Sequence, residues 1–401
     1  MNAATATVAD PPPHSPRVAI ITRRFDILSQ TFVRDHVRAF PAEVLALVST
    51  ASPPPEFADI PHLMLADPVY DRSSRLRMQL KKRLRLRAFA YPQRLTQQNR
   101  AAIESFLRRQ DVGTVLVEFG DFAMDVLPAV LAAGARAYVY FHGFDIFILT
   151  WTARYESELR KLLQRIDGAI IGSEMMRCRL IELGCDPGKI SKIPCGVRIP
   201  PIEDMPGQRG GRAVMVSRMI PWKGPDLAIR SFAKALALVP GATLEIIGEG
   251  PLEPDLRQLV RDLEIGDNVL FRGGLSHADT LSAIAKSDML IQHNVSIPKS
   301  GVETLGLSVL EAMAYAKPVV VTRHGSFRET VLDGETGFLV DERDVDAMGQ
   351  KIALLLQDKE LARKMGQQGR RSVAERYEMK RANMLLRSLL IGHDPNMEDE
   401  R

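Results

Sequence analysis

The chain has 401 residues and a mass of 44.6 kDa, too long for one ordinary core and suited to two or three domains. Its formal net charge of +4 suits an anionic ligand or membrane surface without requiring one, and no nucleic-acid motif accompanies the charge. Three cysteines, Cys178, Cys185 and Cys195, lack CxxC spacing, which argues against a disulfide framework or a zinc site and points to a reducing, cytoplasmic setting.

The first 16 residues, rich in Ala, Pro and Thr, lack the basic and apolar regions of a signal peptide and are expected to be a disordered lead-in. From Arg17 onward, "RVAIIT", "AEVLALVS", "VGTVLVEF", "RAYVYFHG", "IDGAIIGS" and "ISKIPCGV" alternate with helix-like segments, the pattern of a parallel sheet covered by helices. Residues 72–88, "RSSRLRMQLKKRLRLRA", carry eight basic and no acidic residues, with Leu76, Leu80 and Leu84 on one helical face. Such a segment either docks on an anionic membrane or is a solvated helix whose leucines pack on the core. Residues 127–151 are the nearest approach to a membrane span, but Pro128, Arg136, His142 and Asp145 interrupt them, and strand and loops are expected there.

A stretch rich in Pro, Gly and charge, residues 198–212, is the best linker candidate. A second series comes after it in "AVMVSRM", "TLEIIGEG", "NVLFRGG", "DMLIQHN", "KPVVVTR" and "TGFLV", then helical patterning from Asp341 almost to Gly392. The fold class is therefore α/β, with two Rossmann-like doubly wound domains facing across a cleft. Domains are expected at 17–197 and 198–376, with a helix at 377–391 and a tail at 392–401. Open α/β sheets bind ligands at the carboxyl ends of their strands, so candidate site residues belong just after strands.

In "VMVSRMIPWKGPDL" a strand ends near Arg218, and Pro225 opens a helix. Lys223 at that helix N-terminus is disfavoured by the dipole unless an anion joins it, and a phosphate beside Arg218 and Lys223 would satisfy both. A solvated surface lysine is the alternative. "GVETLGLSVLEAMAYAKPVVV", residues 301–321, sets Glu303 and Glu311 in an apolar run. A carboxylate buried there unpaired costs roughly 3–5 kcal/mol, so each needs water, a basic partner or a ligand. Gly306 with the next amides makes a second anion-ready helix start, while an arginine salt bridge at Glu311 is the structural alternative. "VYFHGFDIF" places His142 at a strand end, with Asp145 as a cap for the next segment. The chain has no GxxxxGK[ST] run and no GxGxxG after its first strand, which weighs against a P-loop ATPase and a dinucleotide oxidoreductase.

Together these segments resemble the family-four retaining glycosyltransferases of the GT-B fold, from about residue 17 to 390. The resemblance rests on the E-x7-E pattern of Glu303 and Glu311, on "SRMIPWKG", and on "LIELGCDPGKISKIPCGV" before the hinge. "RRFDILSQTFVRDHVRAF" is similar to the "SETFV" opening of bacterial exopolysaccharide and lipid-linked oligosaccharide transferases, with Gln30 in place of the usual Glu. Further departures are Cys195 where many members have Asn, Ser326 where a second Gly is common, and Glu118 where relatives often have His.

The resemblance implies that Arg218 and Lys223 bind a donor diphosphate with the amides of Gly306 and Leu307. It implies Glu311 on the ribose, Glu303 on the donor sugar, His142 near the reacting sugar, Arg272 beside the base, and Ser173 and Glu174 on a cleft-facing loop. It further implies a metal-independent retaining hexosyltransferase with no cofactor, whose last helix, 377–391, crosses back onto the N-terminal domain. The donor would be a UDP- or GDP-sugar and the acceptor a glycan or lipid-linked hydroxyl. The enzyme would be cytoplasmic, at the inner membrane face if the 72–88 segment docks there. A nucleotide-sugar epimerase or hydrolase of the same fold, and a non-catalytic nucleotide-sugar sensor, are the competing readings.

Overall fold

A computed structural model describes residues 17–25, 31–67, 69–75, 94–201 and 210–392. The expected lead-in, residues 76–88 of the basic segment, residues 202–209 of the linker, Gln30 and the tail beyond Gly392 lie outside the described residues.

Short runs such as "VGTVLVE" are buried at nearly every position, as a parallel strand covered on both faces requires. In chain order the first half contains β1 (Arg17–Ile21), α1 (Thr31–Arg38), β2 (Leu45–Ser49), β3 (His62–Met64), α2 (Gln97–Arg109), β4 (Val112–Glu118) and α3 (Gly120–Ala133). It continues through β5 (Arg136–Tyr140), α4 (Ala153–Arg165), β6 (Gly168–Ile171), α5 (Glu174–Glu182) and β7 (Ile190–Lys192). Its strands pair in the order β3-β2-β1-β4-β5-β6-β7, every pair parallel. The second half holds β8 (Arg212–Val216), α6 (Pro225–Leu238), β9 (Thr243–Ile247), α7 (Glu253–Asp262), β10 (Val269–Gly273), α8 (His277–Lys286) and β11 (Met289–Gln292). Then come α9 (Leu307–Ala314), β12 (Val319–Thr322), α10 (Phe327–Thr330), β13 (Phe338–Val340), α11 (Val345–Gln357), α12 (Lys359–Tyr377) and α13 (Met379–Ile391). This sheet runs β10-β9-β8-β11-β12-β13, again parallel throughout.

Both orders reverse direction at the first strand of the sheet, β1 beside β4 and β8 beside β11, which opens a crevice at each switch point. One apolar cluster is shared by the two halves: Val18, Ile20 and Leu116 belong to it with Val214, Leu290 and Val321. α13 supplies Leu386 and Leu390 to this cluster although it comes after the second sheet in sequence. The two chain crossings are paired to each other: the Val197 amide donates to Tyr377 O at 2.8 Å and the Met379 amide to Val197 O at 3.0 Å. Gly196 permits this approach, since a Cβ there would sit 2.3 Å from Met379 Cα. No helix among the described residues is long and apolar enough to cross a membrane.

Two expectations are corrected. Residues 127–133 are helical, not strand or loop: they complete α3, where Leu127, Ala129 and Val130 are buried and Pro128 is accommodated within the helix. Asp145 does not cap the segment after it. Its buried carboxylate reaches back to the Gly120 amide at 2.8 Å and to the His142 and Gly143 amides, so it ties the start of α3 to the end of β5.

Candidate active site

Between the halves lies a cavity of about 610 Å³. His142, Arg218, Lys223, Glu303, Gly306, Leu307 and Glu311 all line it, so the structure brings together seven of the residues singled out in the sequence. Arg272 lines a different cavity and is held by Glu245 at 3.0 Å. Ser173 and Glu174 lie at the seam: Ser173 is buried, and the Glu174 and Met175 amides that open α5 are capped by Glu329 of the second half at 3.0 and 3.1 Å. The Glu329 carboxylate also pairs with Lys192 at 2.9 Å.

On the second half, Gly224 turns the chain into α6 with φ +54, where a Cβ would meet the His293 carbonyl oxygen at 2.0 Å. That turn leaves Lys223 beside the helix start, and its Nζ meets Glu303 Oε2 at 2.5 Å. The same carboxylate accepts from Asn294 Nδ2 at 3.2 Å and from the Gly306 amide at 3.0 Å. Burial alone would raise the Glu303 pKa, but the Lys223 charge and the bonds from Lys223 and Asn294 outweigh it and lower it, so Glu303 is a carboxylate at neutral pH. Gly306 adopts φ +75 ahead of α9, and one turn into that helix Glu311 meets His277 Nε2 at 2.7 Å. The hydrogen bond with Glu311 raises the His277 pKa.

Behind the facing wall stands a group the sequence reading did not assemble. Glu118, at the end of β4 and wholly buried, accepts from His142 Nε2 through one oxygen and from His36 Nδ1 through the other, each at 2.7 Å. The His142 ring stacks on Tyr140 at 4.6 Å between centroids and is flanked by Phe32 at 4.3 Å and Phe119 at 4.5 Å. Cys195 Sγ donates to the Tyr140 hydroxyl at 3.5 Å, and that hydroxyl donates to Ile193 O. Burial would lower both imidazoles. For His36 the Glu118 charge leads the opposing interactions and lifts its pKa to about 10; interactions with Cys195 and Glu118 lift His142 to about 9. Burial would raise Glu118, yet the His36 charge and the two histidine hydrogen bonds hold it at about 2. The only signal of His36 in the sequence is a polar residue on the buried Val33-Val37 face of α1.

The arrangement offers cations and helix amides along one cavity wall, carboxylates at two points 303 and 311, and an imidazolium from the other wall. That set can hold a diphosphate flanked by two hydroxyl-rich groups.

Comparison with known proteins bears on this site. The family model described as "Glycosyl transferases group 1" matches residues 208–372. A GDP-mannose-dependent alpha-(1-6)-phosphatidylinositol monomannoside mannosyltransferase of Mycolicibacterium smegmatis is 32% identical over 279 residues, covering 66% of this chain and 72% of the relative. The chain belongs to the group 1 glycosyltransferases. A second relative of this glycosyltransferase, named for colanic acid biosynthesis in Salmonella typhimurium, is 27% identical over 62% of this chain and 63% of its own. Among solved structures, Anabaena HepE in complex with UDP and glucose superposes with a TM-score of 0.74 at 16% identity, over 93% of this chain and 99% of that one. Sucrose-phosphate synthase from Thermosynechococcus elongatus gives 0.68 at 17% identity, over 93% and 98%. The glycosyltransferase thus has the GT-B fold.

Proposed function

We propose that this glycosyltransferase moves a hexosyl group from a UDP- or GDP-sugar to a hydroxyl of a glycan or lipid-linked acceptor in cell-surface glycan synthesis, with retention at the anomeric carbon. The observation that carries the reading is the grouping of Arg218, Lys223, the Gly306 turn, Glu303 and Glu311 on one wall of the interdomain cavity. Support for the donor class comes from the relative named as GDP-mannose-dependent and from the HepE complex with UDP. Support for the acceptor class comes from the relatives named for a phosphatidylinositol mannoside and for colanic acid.

In this reading the diphosphate lies against Arg218, Lys223 and the start of α9, Glu311 takes the ribose hydroxyls, and Glu303 takes hydroxyls of the donor sugar. As the bond from the anomeric carbon to the diphosphate oxygen breaks, negative charge grows on that oxygen. Cations and amides already aimed there lower the barrier without reorganising. The proposed chemistry draws its positive charge from side chains and amides rather than from a metal. The acceptor hydroxyl attacks the same face that the diphosphate leaves, and the departing phosphate oxygen takes its proton. His142, held as an imidazolium by Glu118, faces the developing charge from the first half. We further propose the division 17–197 for acceptor and 198–376 for donor, a cytoplasmic location, and a contact of residues 72–88 with anionic membrane.

The deciding experiment combines thermal shifts with UDP, GDP and ADP and transfer assays with the matching sugar nucleotides. Product with the donor's anomeric configuration, formed in the presence of EDTA and only when acceptor is added, is the expected result. Complete conversion of donor without acceptor would overturn the transferase reading in favour of an epimerase or hydrolase.

A further inference from the structure

Arg34 is a cation of the cavity that the reading above leaves without a task. It stands on α1 and lines the cavity with Thr31 and Phe32, on the wall facing Arg218 and Lys223. Its Nε is buried and has no hydrogen-bond partner, and among the described residues it enters no ion pair. A donor hidden from water without an acceptor is costly, and a guanidinium fork is matched best by a phosphate or carboxylate. The site is therefore built for an oxyanion that arrives with a ligand.

Charge balance says which oxyanion. Lys223 is already neutralised by Glu303 at 2.5 Å, while Arg218 has no ion pair among the described residues. The second half by itself thus offers one uncompensated cation to a diphosphate, which carries at least two negative charges. Position along the cavity agrees. Asp35, the next residue of α1, lies near enough to His277 for its charge to favour the protonated imidazole, and His277 holds Glu311. Phe32, on the other side of Arg34, packs on His142. α1 thus runs past both the His277–Glu311 pair and His142, and Arg34 opens from it into the same cavity.

We propose that Arg34 is the third cation of the diphosphate site, contributed by the half that does not carry Arg218 and Lys223. The inference rests on the reading that a nucleoside diphosphate fills the cavity. Its consequence is that donor phosphates bridge the two halves, so that full affinity requires both.

The test compares dissociation constants of UDP and GDP with those of uridine and guanosine for the wild type, Arg34→Gln and Arg34→Lys, with unliganded melting curves confirming that each variant folds. For the nucleotide the wild type prefers, Arg34→Gln weakens binding about tenfold or more, while the matching nucleoside binds as before. Arg34→Lys recovers part of the loss, because it restores the charge without the fork. Equal losses for nucleotide and nucleoside would make Arg34 a packing residue and overturn the proposal. Unchanged nucleotide affinity, with only the KM of an acidic acceptor raised, would overturn it in favour of an acceptor-binding role. Failure of the wild type to bind either nucleotide would instead remove the donor reading itself, and this inference with it.

Discussion

At Glu303 a buried carboxylate meets Lys223, Asn294 and the Gly306 amide, so its charge is kept by three donors rather than by water. Glu303→Gln leaves Lys223 without its counter-charge and removes a hydroxyl acceptor from the sugar end; turnover is expected to fall by about 100-fold or more, measured as kcat with saturating donor. The Glu118 group sets a pH response whose sign is fixed by its shifts. His36 and His142, raised from 6.5 to about 10 and about 9, stabilise the fold fully below pH 6.5, and this is lost as pH rises through 9 to 10. Glu118, lowered from 4.5 to about 2, contributes above pH 4.5 and loses its share as pH falls toward 2. Thermal melts should therefore decline from pH 7 to pH 10, less steeply than the two histidines alone would give because the Cys195 thiol beside them is lowered to about 6 and opposes the trend, and Glu118→Gln should flatten that decline while lowering stability at pH 6. Glu303 and Glu311 were legible in the sequence because charge in an apolar run demands a reason. Glu118 and His36 were not: they stand 82 residues apart, and each alone looks like one polar residue on a buried face.

The turns that deliver these residues are as constrained as the residues themselves. Gly306 combines φ +75 with a site where a Cβ would lie 2.5 Å from the Phe327 ring. Gly306→Ala must pay for a left-handed backbone at about 1–2 kcal/mol and for moving that ring, so it should lower the melting temperature and weaken nucleotide binding together. At the seam, Glu329 caps α5 and pairs with Lys192 across the cleft. The pair is partly exposed, so Glu329→Gln should cost only about 0.5–1 kcal/mol of stability. Its clearer effect is a larger radius of gyration in solution scattering of the unliganded protein, because a tie between the halves is weakened. Every β-rich run read from the sequence forms a strand, since parallel strands buried on both faces leave near-continuous apolar runs. β3 leaves no apolar run in the sequence, because it has three residues and two of them are exposed. Residues 127–133 are helical although Pro128 suggests a break, because apolar burial on the sheet outweighs its missing amide.

For the whole molecule, the two-sheet plan was legible because the alternation of strand and helix repeats on either side of a Pro- and Gly-rich stretch. The return of the last helix to the first half is expected from the resemblance alone, while side-chain ties such as Lys192 to Glu329 span 137 residues and leave no periodic trace. If a nucleoside diphosphate binds, ligand at 100 times its Kd should stabilise the fold by about 2.7 kcal/mol, read from the shift in unfolding midpoint. Leu386 and Leu390 of α13 are buried in the cluster shared with Val18 and Leu116. Removing residues 379–391 should therefore cost roughly 3–6 kcal/mol from those two leucines, with exposed apolar surface detectable by dye binding. The same helix imposes an order on biosynthesis. The first sheet leaves the ribosome before residues 379–391 are made, so during translation it lacks the apolar cover that Leu386 and Leu390 later give it.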